Sequence, residues 1–257
     1  MARKSKRGTC CICGAIGKLS YEHVPPEKAY NTATAIEYKW QDAVLTGKQG
    51  KGRQQQGGLG GYTLCIQCNS DTGSWYGNEY VKWARTCHSI LQRWVASGLG
   101  ESTFTILNVY PLRFLKQTVT MFFSLIGQYS GPVFSANHPQ LMEFVLDKQN
   151  NQLPSGFRFW MNFYPYNYSG PTSLRRMPLA AKLTVIQDAD GKIIGVQNAA
   201  SFEEIAHPPF ALYMTMDNGV FPNAQEITAF KQYDYDEMVN IPLSLRIMNS
   251  ASRYPGA

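Results

Sequence analysis

Long apolar segments are missing from this sequence of 257 residues. A helix needs about 20 consecutive apolar residues to cross a bilayer, and no run in the chain approaches that length. The most hydrophobic stretch, residues 118–126, is too short and predicts a buried helix instead. The basic segment 1–7 is not followed by an apolar core, so it lacks the pattern of a secretory signal. We therefore expect a cytoplasmic protein that does not insert into a membrane.

The composition also lacks the polar bias of a disordered chain. Hydrophobic residues make up 44% of the sequence and aromatic residues 13%, which is typical of a packed globular protein. The length allows one large domain or two smaller ones. We expect most of the chain to fold.

Positive charge is concentrated in one part of the chain. Residues 1–100 contain 13 Lys plus Arg against 6 Asp plus Glu, a net charge of +7, and residues 101–257 contain 11 against 12, a net charge of −1. A positive field attracts phosphate backbones, although the same charge on a solvated surface would only aid solubility. Charge alone does not decide between these two interpretations.

Four of the six cysteines form two pairs with two residues between the partners: Cys10 with Cys13, and Cys65 with Cys68. Because the cytosol keeps thiols reduced, such pairs indicate a metal site more than disulfides. Two thiolates at this spacing can turn towards one ion, and four complete the tetrahedral set of a structural zinc site. Cys11 competes with Cys10 for this role, and the usual spacing favours Cys10.

An acid and an imidazole, Glu22 and His23, stand side by side between the two cysteine pairs. Alternation over residues 18–23 predicts a short strand, which Pro25 and Pro26 must end because neither can donate to a ladder. Adjacent residues of a regular strand point to opposite faces. Glu22 and His23 can therefore share one site only if the backbone bends there.

Glu22, His23 and Asn69, which follows the second cysteine pair at once, fit the needs of phosphodiester hydrolysis. That reaction needs a nucleophilic water, stabilisation of charge on the phosphate oxygens and help for the departing 3′ oxygen. Glu22 and Asn69 offer the oxygen ligands that Mg²⁺ prefers, and a neutral imidazole can accept the proton of the water. Taken singly, a lone His is more often structural, and Asn69 could simply cap the following helix.

The order Cys-x-x-Cys, acid-His and Leu-Cys-x-x-Cys-Asn resembles the HNH endonucleases, also called ββα-metal or treble-clef nucleases, and most closely their His-Asn type in phage recombination endonucleases. The resemblance covers about residues 8–97. It implies that the two cysteine pairs hold structural zinc, that His23 is the general base, and that Glu22 and Asn69 bind a catalytic Mg²⁺ or Mn²⁺. Glu22 stands where Asp is commoner in the family, and the interval between the cysteine pairs is long.

The periodicity of the whole chain predicts an α+β fold with a largely antiparallel sheet. Helices are predicted at residues 75–98, 112–126 (ending at Gly127) and 139–148. Strands are predicted at 61–64, 157–163 (with one face in the core), 182–187 and 193–197 as a hairpin, 210–216, 226–233 and 243–247. Residues 27–41 could form a short helix or an irregular excursion, and the Gly/Gln-rich residues 46–61 predict a flexible loop.

Two domains are expected: a zinc-containing nuclease domain at residues 1–100 and an α+β domain of regulatory, oligomerisation or targeting role at 101–257. This arrangement would suit an effector of bacterial antiviral defence. The expected partner is nucleic acid, with DNA as the first choice, and residues 101–257 could mediate a homo-oligomer or bind a protein. Two alternatives stay open: a non-catalytic zinc module that binds nucleic acid or protein, and a C-terminal ligand sensor with a pocket lined by Arg175, Arg176 or the aromatic strand at 157–163.

Overall fold

A computed structural model of the chain describes residues 6–37, 53–98, 101–164, 175–188, 190–191, 193–216 and 223–247. The strands of this part are β1 (Lys6–Thr9), β2 (Ile16–His23), β3 (Ala35–Glu37), β4 (Arg53–Gln55), β5 (Gly60–Cys65), β6 (Glu101–Val109), β7 (Arg158–Phe163), β8 (Arg175–Gln187), β9 (Ile193–His207), β10 (Phe210–Thr215), β11 (Gln225–Glu226) and β12 (Val239–Arg246). Its α-helices are α1 (Ile66–Thr72), α2 (Asn78–Ser97), α3 (Pro111–Ser130), α4 (Val133–Asn137) and α5 (Pro139–Leu146). A π-helical turn (Gly73–Gly77) joins α1 to α2, and a 3-10 helix (Thr228–Gln232) follows β11.

The first sheet has the strand order β1-β2-β5, with antiparallel pairing throughout. Leu19 pairs with Cys65, and His23 pairs with Gly60. The register shifts between Ser20 and Glu22, whereas Glu22 and His23 pair regularly with Gly61 and Gly60, so the bend lies before this pair and not within it. Strand β5 runs directly into α1, so β2, β5 and α1 carry Glu22, His23, Cys65, Cys68 and Asn69, and the turn between β1 and β2 carries Cys10 and Cys13.

The helical segment after β5 is longer than predicted. It begins at Ile66 instead of residue 75 and ends at Ser97, where Gly98 caps it with a φ of 70°. The predicted apolar face is confirmed, since Tyr80, Trp83 and Cys87 are buried. Cys87 is therefore a core thiol.

Helix α3 crosses the centre of the molecule and is buried along most of its length. The buried helix predicted over residues 112–126 is confirmed, but its predicted end at Gly127 is wrong because the helix continues to Ser130. Gly127 serves packing instead: a Cβ at this position would lie 2.3 Å from Cys11 Sγ. Side chains of α3 thus meet the cysteine-bearing sheet directly, and Thr63 Oγ1 lies 2.6 Å from Ser124 Oγ.

The second sheet has the strand order β11-β7-β10-β9-β8 and is antiparallel. The predicted hairpin is confirmed and is longer, since β8 and β9 extend well beyond residues 182–197. The prediction that only one face of β7 is buried was wrong. Phe159 and Met161 join the main core, and Trp160 on the other face packs in a second apolar cluster with Tyr213.

The strand predicted at residues 226–233 is also wrong. Only Gln225–Glu226 pair with β7, and a 3-10 helix follows. The buried residues Ile227 and Phe230 are three positions apart, which matches the 3-10 repeat and not the repeat of a strand.

The two ambiguous segments near the site are partly extended. Residues 27–34 form turns rather than a helix, and β3 pairs with β4 in an antiparallel ladder. The loop predicted over 46–61 therefore contains β4 and the start of β5, whereas residues 38–52 lie outside the described part.

The described chain is α+β with antiparallel sheets, as predicted. One apolar core cluster includes Cys10, Leu64 and Trp83 together with Leu112 and Phe159, so it draws on both sides of residue 100. The division into two domains stays a prediction. No helix within the described ranges has the length and hydrophobicity needed to cross a membrane.

Candidate functional site

The sulfur atoms of Cys10, Cys13, Cys65 and Cys68, here called the four-cysteine group, lie within 4.8 Å of one another. Cys13 Sγ and Cys65 Sγ are 3.8 Å apart. Sulfurs bound to a tetrahedral zinc ion at about 2.3 Å would be separated by roughly 3.8 Å. The group could therefore hold a zinc ion, and it contains Cys10 and not Cys11, as the spacing favoured.

Local backbone geometry assembles the group from two turns. After β1, Gly14 N donates to Cys10 O at 3.0 Å, and Gly14 takes a φ of 72° that a side chain would disfavour. Cys65 ends β5 and caps α1, its Sγ accepting from Cys68 N at 3.4 Å. A hydrogen bond from Cys68 lowers the pKa of the Cys10 thiol to about 4, the direction that a metal-binding thiolate needs.

Cys11 has a different environment from its neighbour. Its side chain packs on Gly127 of α3, and burial raises the pKa of the thiol to about 11. Its backbone N donates to Thr63 O at 2.8 Å. Cys11 therefore fixes the first cysteine turn against β5 and α3.

Glu22, His23 and Asn69 line a single pocket of about 280 Å³, here called the Glu22–His23 pocket. Its walls come from the end of β2, the turn that follows, α1, the π-helical turn, the start of α2 and Gln117 of α3. The remaining lining residues are Tyr21, Pro26, Glu27, Lys28, Thr72, Gly73, Gly77, Asn78, Val81 and Gln117.

His23 is half-buried, and its Nε2 lies 3.0 Å from Gly57 O. Because a carbonyl oxygen can only accept, a neutral imidazole in this position carries its proton on Nε2. The Tyr21 ring meets the imidazole edge-on at 5.1 Å. His23 Nδ1 is consequently the nitrogen with a lone pair for a proton or a ligand.

Glu22 turns towards α3, where the Ser124 hydroxyl hydrogen-bonds its carboxyl group. The residue is 6% exposed, and no described residue hydrogen-bonds Oε2. Burial raises the pKa of the carboxyl group to about 8. A buried oxygen without a donor fits a divalent cation, which would favour the ionised form.

Asn69 joins α1 to β2 through its amide nitrogen, which donates to Ser20 Oγ at 2.8 Å and Tyr21 O at 3.2 Å. Its amide oxygen is left as the atom that can bind a cation. A purely capping role was the alternative in sequence, but Cys65 caps α1.

Sequence reasoning missed two buried amides. Asn31 donates to Pro25 O at 2.6 Å and Leu59 O at 2.7 Å and accepts from Leu59 N at 2.7 Å, so it fastens the turn after β2 to β5. Gln117 of α3 lines the pocket, and its Oε1 has no hydrogen-bond partner in the described chain. No local pattern separates Gln117 from other buried polar residues of α3 such as Lys116 and Ser124.

A second pocket of about 470 Å³, here called the basic groove, shares Lys28, Asn78 and Val81 with the first. Lys82, Arg85 and Thr86 complete its lining. Among the described residues, three cations and no carboxylate line this groove. The Tyr30 ring packs on the His88 ring at 4.4 Å, which holds the Lys28 wall against α2.

The predicted C-terminal sensor rested on the aromatic strand 157–163, whose aromatic side chains are buried, and on Arg175 and Arg176. Both begin β8, where they pair with Ala206 and Ile205. Their side chains lie outside the described part, so this alternative stays a prediction.

Comparison of the chain with protein-family models, with curated proteins and with solved structures found no match. The functional assignment therefore rests on the geometry of the chain itself.

Proposed function

We propose that this protein is a metal-dependent endonuclease of the HNH type that hydrolyses phosphodiester bonds of DNA. His23 is the general base, and Glu22 and Asn69 hold one Mg²⁺ or Mn²⁺. One observation carries the proposal: these three residues line a single pocket, on a strand-strand-helix unit whose four cysteines could hold zinc.

The chemistry follows from the positions of the side chains. His23 Nδ1 takes the proton of the attacking water, while Gly57 O holds the ring through Nε2. A divalent ion bound there would offset charge on the phosphate and assist the departing 3′ oxygen. Glu22 supplies a buried carboxyl group, and Asn69 supplies an amide oxygen in the same pocket.

A polyanionic substrate is supported by the basic groove. It adjoins the pocket through three shared residues, so a strand that enters the pocket can continue past Lys82 and Arg85. The net charge of +7 over residues 1–100 acts in the same direction.

Nicking of supercoiled plasmid by the full, zinc-loaded chain tests the proposal. We expect cleavage with Mg²⁺ or Mn²⁺, none with excess chelator, and a loss of at least about 100-fold in His23→Ala, since general bases contribute that much or more. His138→Ala, which changes a histidine away from the pocket, is the matched control. Undiminished cleavage by pure His23→Ala would refute the assigned base.

A non-catalytic zinc module that binds nucleic acid is the second candidate. It is favoured by the contact of Glu22 with Ser124, since a protonated carboxyl group could be a purely structural element of the core. Salt-sensitive DNA binding that is equal in the parent and in His23→Ala, with intact plasmid in both, would establish it.

The role in bacterial defence stays a prediction from the two-part architecture. Phage challenge of cells that express the parent chain or His23→Ala tests it directly. Equal plaque counts with the two chains would reject it.

A further inference from the structure

Two buried side-chain oxygens of the Glu22–His23 pocket have no hydrogen-bond partner in the described chain. They are Glu22 Oε2 and Gln117 Oε1, on residues 6% and 3% exposed. Buried acceptors are normally satisfied, and leaving one without a donor or a cation is unfavourable. Two such oxygens in one pocket indicate that a ligand with positive charge or donor protons belongs there.

The position of Gln117 is fixed by the π-helical turn. An added Cβ at Gly77 would lie 3.7 Å from Gln117 Oε1, so this oxygen is next to a residue that also lines the pocket. Glycine at position 77 leaves the space in front of the amide open. The amide oxygen therefore reaches the pocket and not only the interior of α3.

Helix α3 presents one polar face to the site. Gln117 and Ser124 are seven residues apart, two turns along the same face of the helix. Ser124 contacts the Glu22 carboxyl group, and Gly127 admits Cys11 one turn further on. The face that holds Glu22 and the four-cysteine group in place also carries Gln117.

We propose that Gln117 is a third oxygen donor to the divalent cation of the pocket, binding the ion or a water of its hydration shell. The inference rests on the proposed function for the identity of the cation. Mg²⁺ and Mn²⁺ are oxygen-preferring ions, and Mg²⁺ retains several waters, so a neutral amide can act from either distance. The site is then built from three elements, β2, α1 and α3, and the last of them lies beyond residue 100.

Calorimetric titration of Mn²⁺ into the zinc-loaded full chain tests this inference. Gln117→Met keeps the size of the side chain and removes the amide oxygen; we expect Mn²⁺ binding to weaken by about tenfold, the scale of a lost supporting ligand. Gln117→Glu restores an oxygen and adds charge, so its affinity should equal or exceed that of the parent. Thr118→Val is the matched control, because Thr118 is buried on the same helix and donates to Phe114 O.

Circular dichroism of each variant ensures that folded proteins are compared. Mn²⁺ affinity of Gln117→Met within twofold of the parent would overturn the inference, and so would a parent chain that binds no Mn²⁺ outside the cysteines. Plasmid nicking separates this result from the proposed function. Weakened Mn²⁺ binding in Gln117→Met with intact plasmid supports the cation site and rejects the nuclease, whereas cleavage with unchanged Mn²⁺ affinity does the reverse.

Discussion

Two binding regions lie side by side in this protein, the four-cysteine group and the Glu22–His23 pocket. The first takes its four sulfurs from two short turns, which the spacing of the cysteines in the sequence predicts. The second takes oxygen and nitrogen atoms from β2, α1 and α3, elements that only the fold brings together. The pKa values diverge within the four-cysteine group: hydrogen bonding lowers the pKa of Cys10 and raises that of Cys68, and burial raises that of Cys13, as it does for Glu22 in the pocket. A metal ion bound in either region would therefore release protons from its ligands.

Loss of a zinc ligand should have the largest effect on stability of the changes considered for these two regions. Structural zinc contributes about 10–16 kcal/mol of apparent binding free energy in small zinc domains, so we expect Cys65→Ser to lose the ion and much of its stability. Cys11→Ala should keep one zinc per chain, because its sulfur is outside the group. Zinc stoichiometry and urea unfolding measure both. Zinc loss in Cys11→Ala together with retention in Cys10→Ala would reverse the ligand assignment.

Glu22 should make stability pH-dependent in the cation-free pocket, against opposite contributions from His207 and Lys116, whose pKa values burial lowers. Its folded-state pKa of about 8 lies above the ordinary value of 4.5, so its stabilising effect is full below about pH 4.5 and disappears as pH rises through 8. The slope in the free energy of unfolding should reach at most about 1.4 kcal/mol per pH unit over that window.

Urea unfolding of the parent and Glu22→Gln from pH 5 to 8 measures this slope. Glu22→Gln should remove it, and Mn²⁺ should flatten it in the parent because the cation favours the carboxylate. Parallel curves for the two proteins would show that Glu22 does not titrate in this range.

Contact between α3 and the cysteine turn should be sensitive to a single methyl group. In Gly127→Ala the new Cβ meets Cys11 Sγ at 2.3 Å, so we expect a loss of about 1–3 kcal/mol in unfolding free energy. Gly156→Ala is the control, because nothing lies within 4 Å of its added Cβ. The double variant with Cys11→Ala should recover part of the loss. Strict additivity of the two changes would contradict the contact.

The smallest effect is expected in the basic groove. Arg85→Gln should weaken DNA binding and reduce the slope of log affinity against log salt by about 0.9, the value for one phosphate contact. Arg93→Gln removes the same charge from α2 outside the groove and should leave the slope unchanged. Salt titrations of DNA binding by fluorescence anisotropy distinguish the two. Equal slopes would place the nucleic acid elsewhere.

Local patterns predicted much of this fold. The two cysteine pairs, strand β2 and the buried helix at 112–126 follow from spacing and periodicity within a few residues of each feature. The prediction of a strand at 226–233 was wrong because Ile227 and Phe230 are buried at a spacing of three. A short window of apolar residues does not distinguish that spacing from the alternation of a strand. The predicted end of α3 was wrong because Gly127 was interpreted as a helix terminator. A glycine is needed there because Cys11, more than 100 positions away, packs against it.

The candidate site shows the same limit. Glu22, His23 and Asn69 could be selected because motif order joins them to the cysteines. Gln117 and Asn31 could not, since each acts through partners distant in sequence: Asn31 through Leu59, and Gln117 through a pocket it shares with Glu22. Tertiary contacts of this kind leave no periodic pattern in the sequence from which they could be predicted.

The contact between Gly127 and Cys11 limits how the part of the chain with the four-cysteine group could be transferred to another protein. Residues 6–98 would leave behind the helix whose Gly127 and Ser124 contact Cys11 and the Glu22 carboxyl group. A graft would need a host helix with glycine and serine three residues apart, at the places of Gly127 and Ser124. The cysteine-bearing strands can therefore be transferred only together with α3. Any rearrangement of domains during evolution would also have had to keep α3 with them.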